Sequence, residues 1–119
     1  MILGRQTLVE LYGCDAETLR DHATLRARMI DAVREAGGTY VTDVFHHFSP
    51  HGVSGVIVIA ESHVTLHTWP EHRYAAADIF TCSASFAHEL FVQRLQEAVQ
   101  AERVDTRQVE RGRIGDARA

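Results

Sequence analysis

The sequence contains no lysine, and all twelve of its basic residues are arginine. That absence excludes Schiff-base catalysis by a lysine amine, including the lysine that anchors pyridoxal phosphate, and it excludes the lysine of a phosphate-binding P-loop. Cations are also too few and too scattered for a nucleic-acid or anionic-membrane surface. Twelve stand against 16 Asp and Glu, the formal charge is -4, and no basic run exceeds the loose RQVERGR near the end. A small cationic ligand suits this balance better. Cysteine is scarce as well: Cys14 and Cys82 lie far apart, and Met1 to Glu10 is too short and too polar for a signal peptide or an anchor. The longest apolar stretch, Val53 to Ala60, falls far short of the roughly 20 residues that a membrane span requires. The expectation is a soluble cytoplasmic protein with two reduced thiols. With only 2 prolines and 8 glycines among 119 residues, 45% of them hydrophobic, the chain is neither disordered nor collagenous and has the length of one domain. A domain of this size buries only about two-thirds of its unfolded surface, so oligomerisation is a natural supplement to its stability.

The apolar spacing predicts a strand over Thr7 to Tyr12, followed by a helix that Asp15 caps. Leu25, Met29, Ala32, Val33 and Ala36 form the stripe of that helix, and Gly37-Gly38 stops it. Thr39 to His46 and Val53 to Glu61 are rich in β-branched residues and read as a hairpin around SPHG. Val64 to Trp69 and Tyr74 to Cys82 repeat the pattern around PEHR. A second helix is expected after Cys82, capped by Ser83 or Ser85, with Phe86, Leu90, Leu95, Ala98 and Val99 as its stripe. Val104 to Val109 reads as a last strand, and the tail RIGDARA reads as frayed. The order β-α-β-β-β-β-α-β implies an α+β fold, a two-layer sandwich with an antiparallel sheet and helices on one face. The other face then needs cover. A second copy of the same sheet would supply it in a two-fold dimer, giving α/β/β/α layers.

Seven of the eight histidines fall between His46 and His88, among Ser54, Glu61, Ser62, Trp69, Glu71, Asp78 and Cys82. A metal site is the first reading of such a cluster, but His63 and His67 lie in a β-rich segment. Four residues along a strand separate them by about 13 Å, too far for one ion. A hydrolase with Ser62 or Cys82 as nucleophile is a second reading, and GVSGV is not the G-x-S-x-G elbow it would need. His22, His47, His51, His72 and His88 read as ordinary polar residues, most of them on a half-exposed sheet.

The run GVSGVIVIAESHVTLHTWPEHRYAAADIFTC, from Gly52 to Cys82, resembles the bacterial and archaeal S-adenosylmethionine decarboxylase proenzymes. LGRQTLVELYGCD, FHHFSPHGVSG and VERGR extend the resemblance over nearly the whole chain. Members of that family are pyruvoyl enzymes that cleave themselves before a serine and convert it into the cofactor, which is how a lysine-free chain could decarboxylate an amino acid. The resemblance places the cut between Glu61 and Ser62, giving a β chain of residues 1–61 and an α chain of residues 62–119. Ser62 Oγ would attack the Glu61 carbonyl to make an ester, and elimination and hydrolysis would leave a pyruvoyl group at residue 62. The attack creates an oxyanion that needs a hydrogen-bond donor, and the elimination needs a base.

By the same resemblance, Ser54 and His67 serve this processing and Cys82 donates the proton that replaces carbon dioxide. A thiol is apt there, since thiols as a class titrate only modestly above neutral pH. The pyruvoyl ketone would form a Schiff base with the substrate amine. Phe48 would stack on adenine, Glu71 would accept the ribose hydroxyls, and Glu10 would lie near the site. No metal is implied. The implied substrate is S-adenosylmethionine, the implied product the aminopropyl donor for spermidine synthesis, and the implied assembly a homodimer with sites at or near its interface. Ser62 and His67 are five apart and face opposite ways in a continuous strand. Either the strand breaks after Ser62 or His67 serves the partner's Ser62. Gln6, Arg73 and Ser83 stand where relatives commonly have histidine, glycine and glycine, which bears on pocket shape. An arginine or ornithine decarboxylase of the same fold, and an unprocessed regulatory paralogue, are the competing readings.

Overall fold

The structure is a computed structural model that describes residues 1–48 and 50–115. Six strands form one antiparallel sheet: β1 (Ile2–Tyr12), β2 (Tyr40–His47), β3 (Val53–Ile59), β4 (Ser62–Trp69), β5 (Tyr74–Thr81) and β6 (Arg103–Arg113). Their order across the sheet is β2-β3-β4-β5-β1-β6. Helices α1 (Ala16–Arg20), α2 (His22–Glu35) and α3 (His88–Val99) complete the fold, with a single 3-10 turn at Pro70–His72.

Alternation along each strand decides which face meets the helices. Thr7, Val9 and Leu11 of β1, Val53 and Ile57 of β3, Val64 and Leu66 of β4, and Ala75, Ala77 and Ile79 of β5 are buried on one face. Leu25, Met29 and Val33 of α2 and Phe91, Leu95 and Val99 of α3 complete that core. Among the described residues the opposite face carries no helix. Its cross-strand rows follow from the register, and one of them runs Val44, Val56, Thr65, Asp78, Leu8, Arg107. Val44 on this face is 65% exposed and Trp69 is 41% exposed, so a broad, partly apolar surface stands open. Among the described residues, no helix is long and apolar enough to cross a membrane.

The expected first helix is two. Asp21 ends α1 and caps α2, its carboxylate accepting the Thr24 N–H at 3.1 Å, as Asp15 accepts that of Thr18 for α1. Gly37 then takes φ of 91°, the left-handed conformation that ends a helix without a Cβ clash. The second predicted helix begins later than expected. It starts at His88, its cap Ala87 makes no side-chain bond, and Ser83 and Ser85 bond each other instead, 2.7 Å apart. Its buried stripe accordingly contains Phe91, while Leu90 and Ala98 are only partly buried. The last strand is longer than its apolar core suggested, because exposed polar residues at an edge carry no hydrophobic signal. The tail is held at its start: Met1 N donates to the Ile114 carbonyl at 3.0 Å and Ile114 N to that of Met1 at 2.8 Å. Ser49 of the SPHG turn and residues 116–119 lie outside the described residues.

Candidate active site

The β3–β4 hairpin turns through Ala60 and Glu61, and Ser62 opens β4 with φ of 151°. An L-residue rarely adopts that backbone conformation, so strain is concentrated on the residue at the expected cut. Glu61 is held from both sides. Its carboxylate accepts the Thr39 N–H at 2.9 Å and the Thr39 hydroxyl at 3.2 Å, and chiefly the backbone bond keeps that carboxyl below the usual range. Its carbonyl oxygen accepts the Cys82 N–H at 3.0 Å and the Cys82 thiol at 3.4 Å. The β4–β5 ladder explains this meeting, because Ser62 pairs with Thr81 and the next residue of that chain is Cys82. A cleft of about 400 Å³ lies beside Cys82 and Ser83, bounded by Arg5 and Glu110.

A second group occupies the helix-free face near the other end of the sheet. Ser54, His67, Ala76 and Glu10 are consecutive cross-strand partners on β3, β4, β5 and β1. Ser54 Oγ and His67 Nδ1 are 2.9 Å apart. Glu10 accepts the Tyr74 hydroxyl, and burial together with this carboxylate pushes the phenol up to about 12. Tyr74 lies 5.4 Å from Tyr12 and 5.3 Å from Trp69, ring centre to ring centre, which makes a three-ring aromatic surface. Glu71 is exposed in the 3-10 turn after Trp69, and Phe48 is exposed just beyond β2, edge-on to His46 at 4.5 Å.

One chain therefore brings Glu61, Ser62 and Cys82 together, and separately sets Ser54, His67 and Glu10 in one cross-strand row, with Glu71 just beyond the end of β4 and Phe48 just beyond the end of β2. It does not join the two groups. β4 is continuous from Ser62 to Trp69 in the uncut chain. Five residues of strand put His67 about 17 Å from Ser62, on the opposite parity. Among the described residues no three His, Cys, Asp or Glu side chains gather as a metal site would require.

Several neighbours of these groups had no signal in the sequence. Thr39 and Thr81 are unremarkable threonines until the hairpin folds onto them. His88, read as an ordinary polar residue on a half-exposed sheet, is instead 4% exposed at the start of α3. Its ring nitrogens meet Thr7 Oγ1 at 2.8 Å and Thr81 Oγ1 at 2.7 Å. On the helix-free face Asp78 accepts from Thr65 and, at 2.8 Å, from the Gln6 amide, while Gln6 accepts from Arg111 at 2.7 Å.

The profile of the S-adenosylmethionine decarboxylase family matches residues 5–112. The chain belongs to that family. It is 47% identical over 114 residues to the S-adenosylmethionine decarboxylase proenzyme of Thermotoga maritima, covering 96% of this chain and 88% of that protein. The proenzyme of Acidithiobacillus ferrooxidans is 46% identical over 112 residues, covering 94% and 84%. The crystal structure of the adenosylmethionine decarboxylase from Aquifex aeolicus matches the fold with a TM-score of 0.87 at 34% identity, over 97% of this chain and 95% of that one. The expected family and α+β fold are thereby borne out.

The structure shows what surrounds the three positions, Arg73, Gln6 and Ser83, that the resemblance set apart. Arg73 adopts φ of 50°, a conformation suited to glycine, and its guanidinium offsets the strain by donating to the Cys14 carbonyl at 2.8 Å and the Gly13 carbonyl at 3.2 Å. Gln6 links Asp78 to Arg111. Ser83 bonds Ser85, beside Cys82.

The two thiols differ sharply in environment. Cys14 is buried, and burial pushes it up to about 11, whereas Cys82 is exposed. A thiol-directed alkylating reagent at neutral pH is expected to label Cys82 alone in the native protein, with Cys14 reacting only after denaturation. Peptide mass mapping checks this, and labelling of both at similar native rates would contradict it.

Proposed function

We propose that this chain cleaves itself between Glu61 and Ser62 and then decarboxylates S-adenosylmethionine with a pyruvoyl group made from Ser62. In this reading residues 1–61 and 62–119 stay together as one domain, two such protomers form a dimer, and the product is an aminopropyl donor for spermidine synthesis in the cytoplasm. The observation that carries the reading is the Glu61 carbonyl, held 3.0 Å from the Cys82 N–H.

Ser62 Oγ attacks that carbonyl carbon, and the oxygen gains charge where a donor already points, so little reorganisation is needed. The carbon–nitrogen bond breaks, leaving the Glu61 acyl group as an ester on Ser62 Oγ and an amine at residue 62. Strain at Ser62 favours this step, since the peptide that fixes its φ is lost. Removal of the residue-62 α-proton expels Glu61 as a free carboxylate and leaves dehydroalanine. Its imine tautomer takes up water and releases ammonia. The pyruvoyl group supplies an electrophilic ketone and an adjacent carbonyl that accepts the electrons released as carbon dioxide leaves. The Cys82 thiol, beside residue 62, then delivers a proton to the substrate carbon. Glu71 and Phe48 hold the ribose and the base, and Tyr12, Trp69 and Tyr74 offer aromatic faces to the cationic sulfonium, with Glu10 behind them.

His67 and Ser54 lie about 17 Å along the sheet from Ser62 of their own chain. Two helix-free faces packed antiparallel about a two-fold axis would set the His67 end of one sheet over the Glu61–Ser62 peptide and Cys82 at the opposite end of the other. This is the face away from the Ser62 side chain, so His67 would reach the backbone of the cut rather than Ser62 Oγ in its strand position. That arrangement covers the exposed surface containing Val44 and Trp69 and completes each site from both protomers. Nothing favours arginine or ornithine as substrate.

Intact-mass measurement of the incubated protein tests cleavage, with fragments of residues 1–61 and 62–119 expected, the second bearing a ketone that reacts with hydroxylamine. An uncut chain of full mass would leave the unprocessed paralogue as the better account. Mixing tests the shared site. Ser62→Ala and His67→Ala proteins, each uncut alone, are expected to yield cut His67→Ala chains when co-refolded, because that mixture contains one site with both groups intact. Failure of the mixture to cut would mean that His67 acts within its own chain or elsewhere.

A further inference from the structure

Cys82 begins a connection, Cys82 to Ala87, with no regular secondary structure, and yet its N–H and thiol are held against the Glu61 carbonyl. Something must fix the two ends of that connection. Ala87 N donates to the Ala36 carbonyl at 2.9 Å, which ties the far end to the terminus of α2. At the near end Thr81 Oγ1 makes a long contact, 3.5 Å, with the Ser83 carbonyl, and the shorter anchor is His88. Its ring bonds Thr81 Oγ1 at 2.7 Å, so the residue after the connection grips the residue before it. The other ring nitrogen meets Thr7 Oγ1 on β1 at 2.8 Å. Thr7, Thr81 and His88 are 3%, 2% and 4% exposed, in a layer otherwise packed with Ile79, Phe86 and Phe91. Burial, and secondarily the charge of Arg5, lower the histidine pKa, so the ring is neutral near pH 7. A neutral imidazole has one donor and one acceptor, and each matches one threonine hydroxyl.

A buried polar triad of this kind adds little stability over apolar residues of the same shape, because its bonds mainly offset the cost of desolvation. It does contribute direction, since hydrogen bonds fix orientation where apolar contacts allow sliding. Here the direction is passed to Thr81, whose backbone pairs with Ser62 and leads straight into Cys82.

We infer that His88 is a positioning residue for self-cleavage, acting through Thr81 to hold the Cys82 N–H and thiol on the Glu61 carbonyl. The inference rests on the proposed self-cleavage and adds to it a residue remote from the reacting atoms. Without that hold, the Cys82 donor drifts from the position that the oxyanion will occupy, and a displacement of about 1 Å is enough to cost up to 10²-fold in rate.

The test compares full-length Thr81→Val, Thr7→Val, His88→Leu and His88→Gln proteins with the unaltered chain, following the rate of cleavage by intact mass and the melting temperature of each. Thr81→Val keeps the shape of the side chain and removes the bond to His88 together with the longer contact to the Ser83 carbonyl, His88→Leu removes the first and leaves the second, and Thr7→Val removes an equally buried bond that leads elsewhere. Thr81→Val and His88→Leu are expected to slow cleavage about tenfold or more, equivalent to about 1.4 kcal/mol of barrier. Thr7→Val is expected to stay within about threefold, and His88→Gln, whose amide can still reach a threonine hydroxyl, to recover most of the rate. Should His88→Leu fail to fold, the two threonine variants decide alone. Equal slowing by Thr7→Val and Thr81→Val would reduce the triad to general stability and overturn the inference. So would cleavage of Thr81→Val within threefold of the unaltered chain. An unaltered chain that never cuts would instead overturn the self-cleavage reading, and the inference with it.

Discussion

Ser62→Ala is expected to remain one chain of full mass and to lose decarboxylation entirely. The loss is large because two functions disappear with one oxygen. Without Oγ nothing attacks the Glu61 carbonyl, although that carbonyl still accepts the Cys82 N–H. Without the ester there is no elimination, and so no ketone at residue 62. Decarboxylation then falls to the uncatalysed background, a loss of about 10⁶-fold or more on the usual scale of enzymatic acceleration. The fold should not be the cause. Ser62 is not a member of the hydrophobic core, and the bonds between Thr39 and the Glu61 carboxylate do not involve its side chain. A melting temperature within a few degrees of the unaltered chain, together with absent fragments and absent carbon dioxide release, is the expected set. Fragments split at residue 62 from the Ser62→Ala protein would remove serine from the chemistry.

Cys82→Ala separates the two reactions. Its backbone N–H survives the substitution, so the donor on the Glu61 carbonyl persists and cleavage should proceed within about an order of magnitude of the normal rate. The thiol is gone, and with it the proton delivered to the substrate carbon. General acid catalysis of this kind contributes about 10²–10⁴-fold, so decarboxylation by the cleaved protein should fall by that factor. Intact mass reads the first rate and release of labelled carbon dioxide reads the second. If cleavage fails as completely as decarboxylation, the thiol, 3.4 Å from the Glu61 carbonyl, belongs to processing as well. If neither changes, the proton comes from another group.

Both outcomes depend on a geometry in which secondary structure does the positioning. Ser62 and Thr81 are partners in one ladder, so backbone hydrogen bonds bring the Glu61–Ser62 peptide of the proposed cut beside Cys82, and the Thr81–His88 contact adds a side-chain hold at the same point. The same regularity explains the division of the site. A strand advances about 3.3 Å per residue, and no rotamer brings His67 back along β4 to Ser62. In the proposed dimer the partner's His67 reaches the backbone of the cut instead.

The run from Gly52 to Cys82, with the flanking segments LGRQTLVELYGCD, FHHFSPHGVSG and VERGR, was sufficient to indicate the family by resemblance, and the site residues followed from that resemblance. Alternation of apolar residues was sufficient for the antiparallel sheet and for helices on one face, because the period of two in Val53 to Ile59 and the three- and four-residue spacing in Leu25 to Val33 each fix a buried side. The absence of lysine had already excluded a pyridoxal phosphate enzyme.

Other features depended on distances between segments remote in sequence. Asp21 split the first helix, because an aspartate able to cap its own backbone outcompetes continuation of the helix. The second helix started at His88 rather than at a serine, because Thr7 and Thr81 supply partners that no local pattern announces. Thr39 reached Glu61 only through the hairpin fold. The sequence by itself determined which side chains the chemistry has available and which face of each element is buried, since those follow from residue type and period. Only the tertiary structure decided that Cys82 meets the Glu61 carbonyl and that Ser54 and His67 stand apart from Ser62, because those depend on strand register, which places residues from distant parts of the chain side by side.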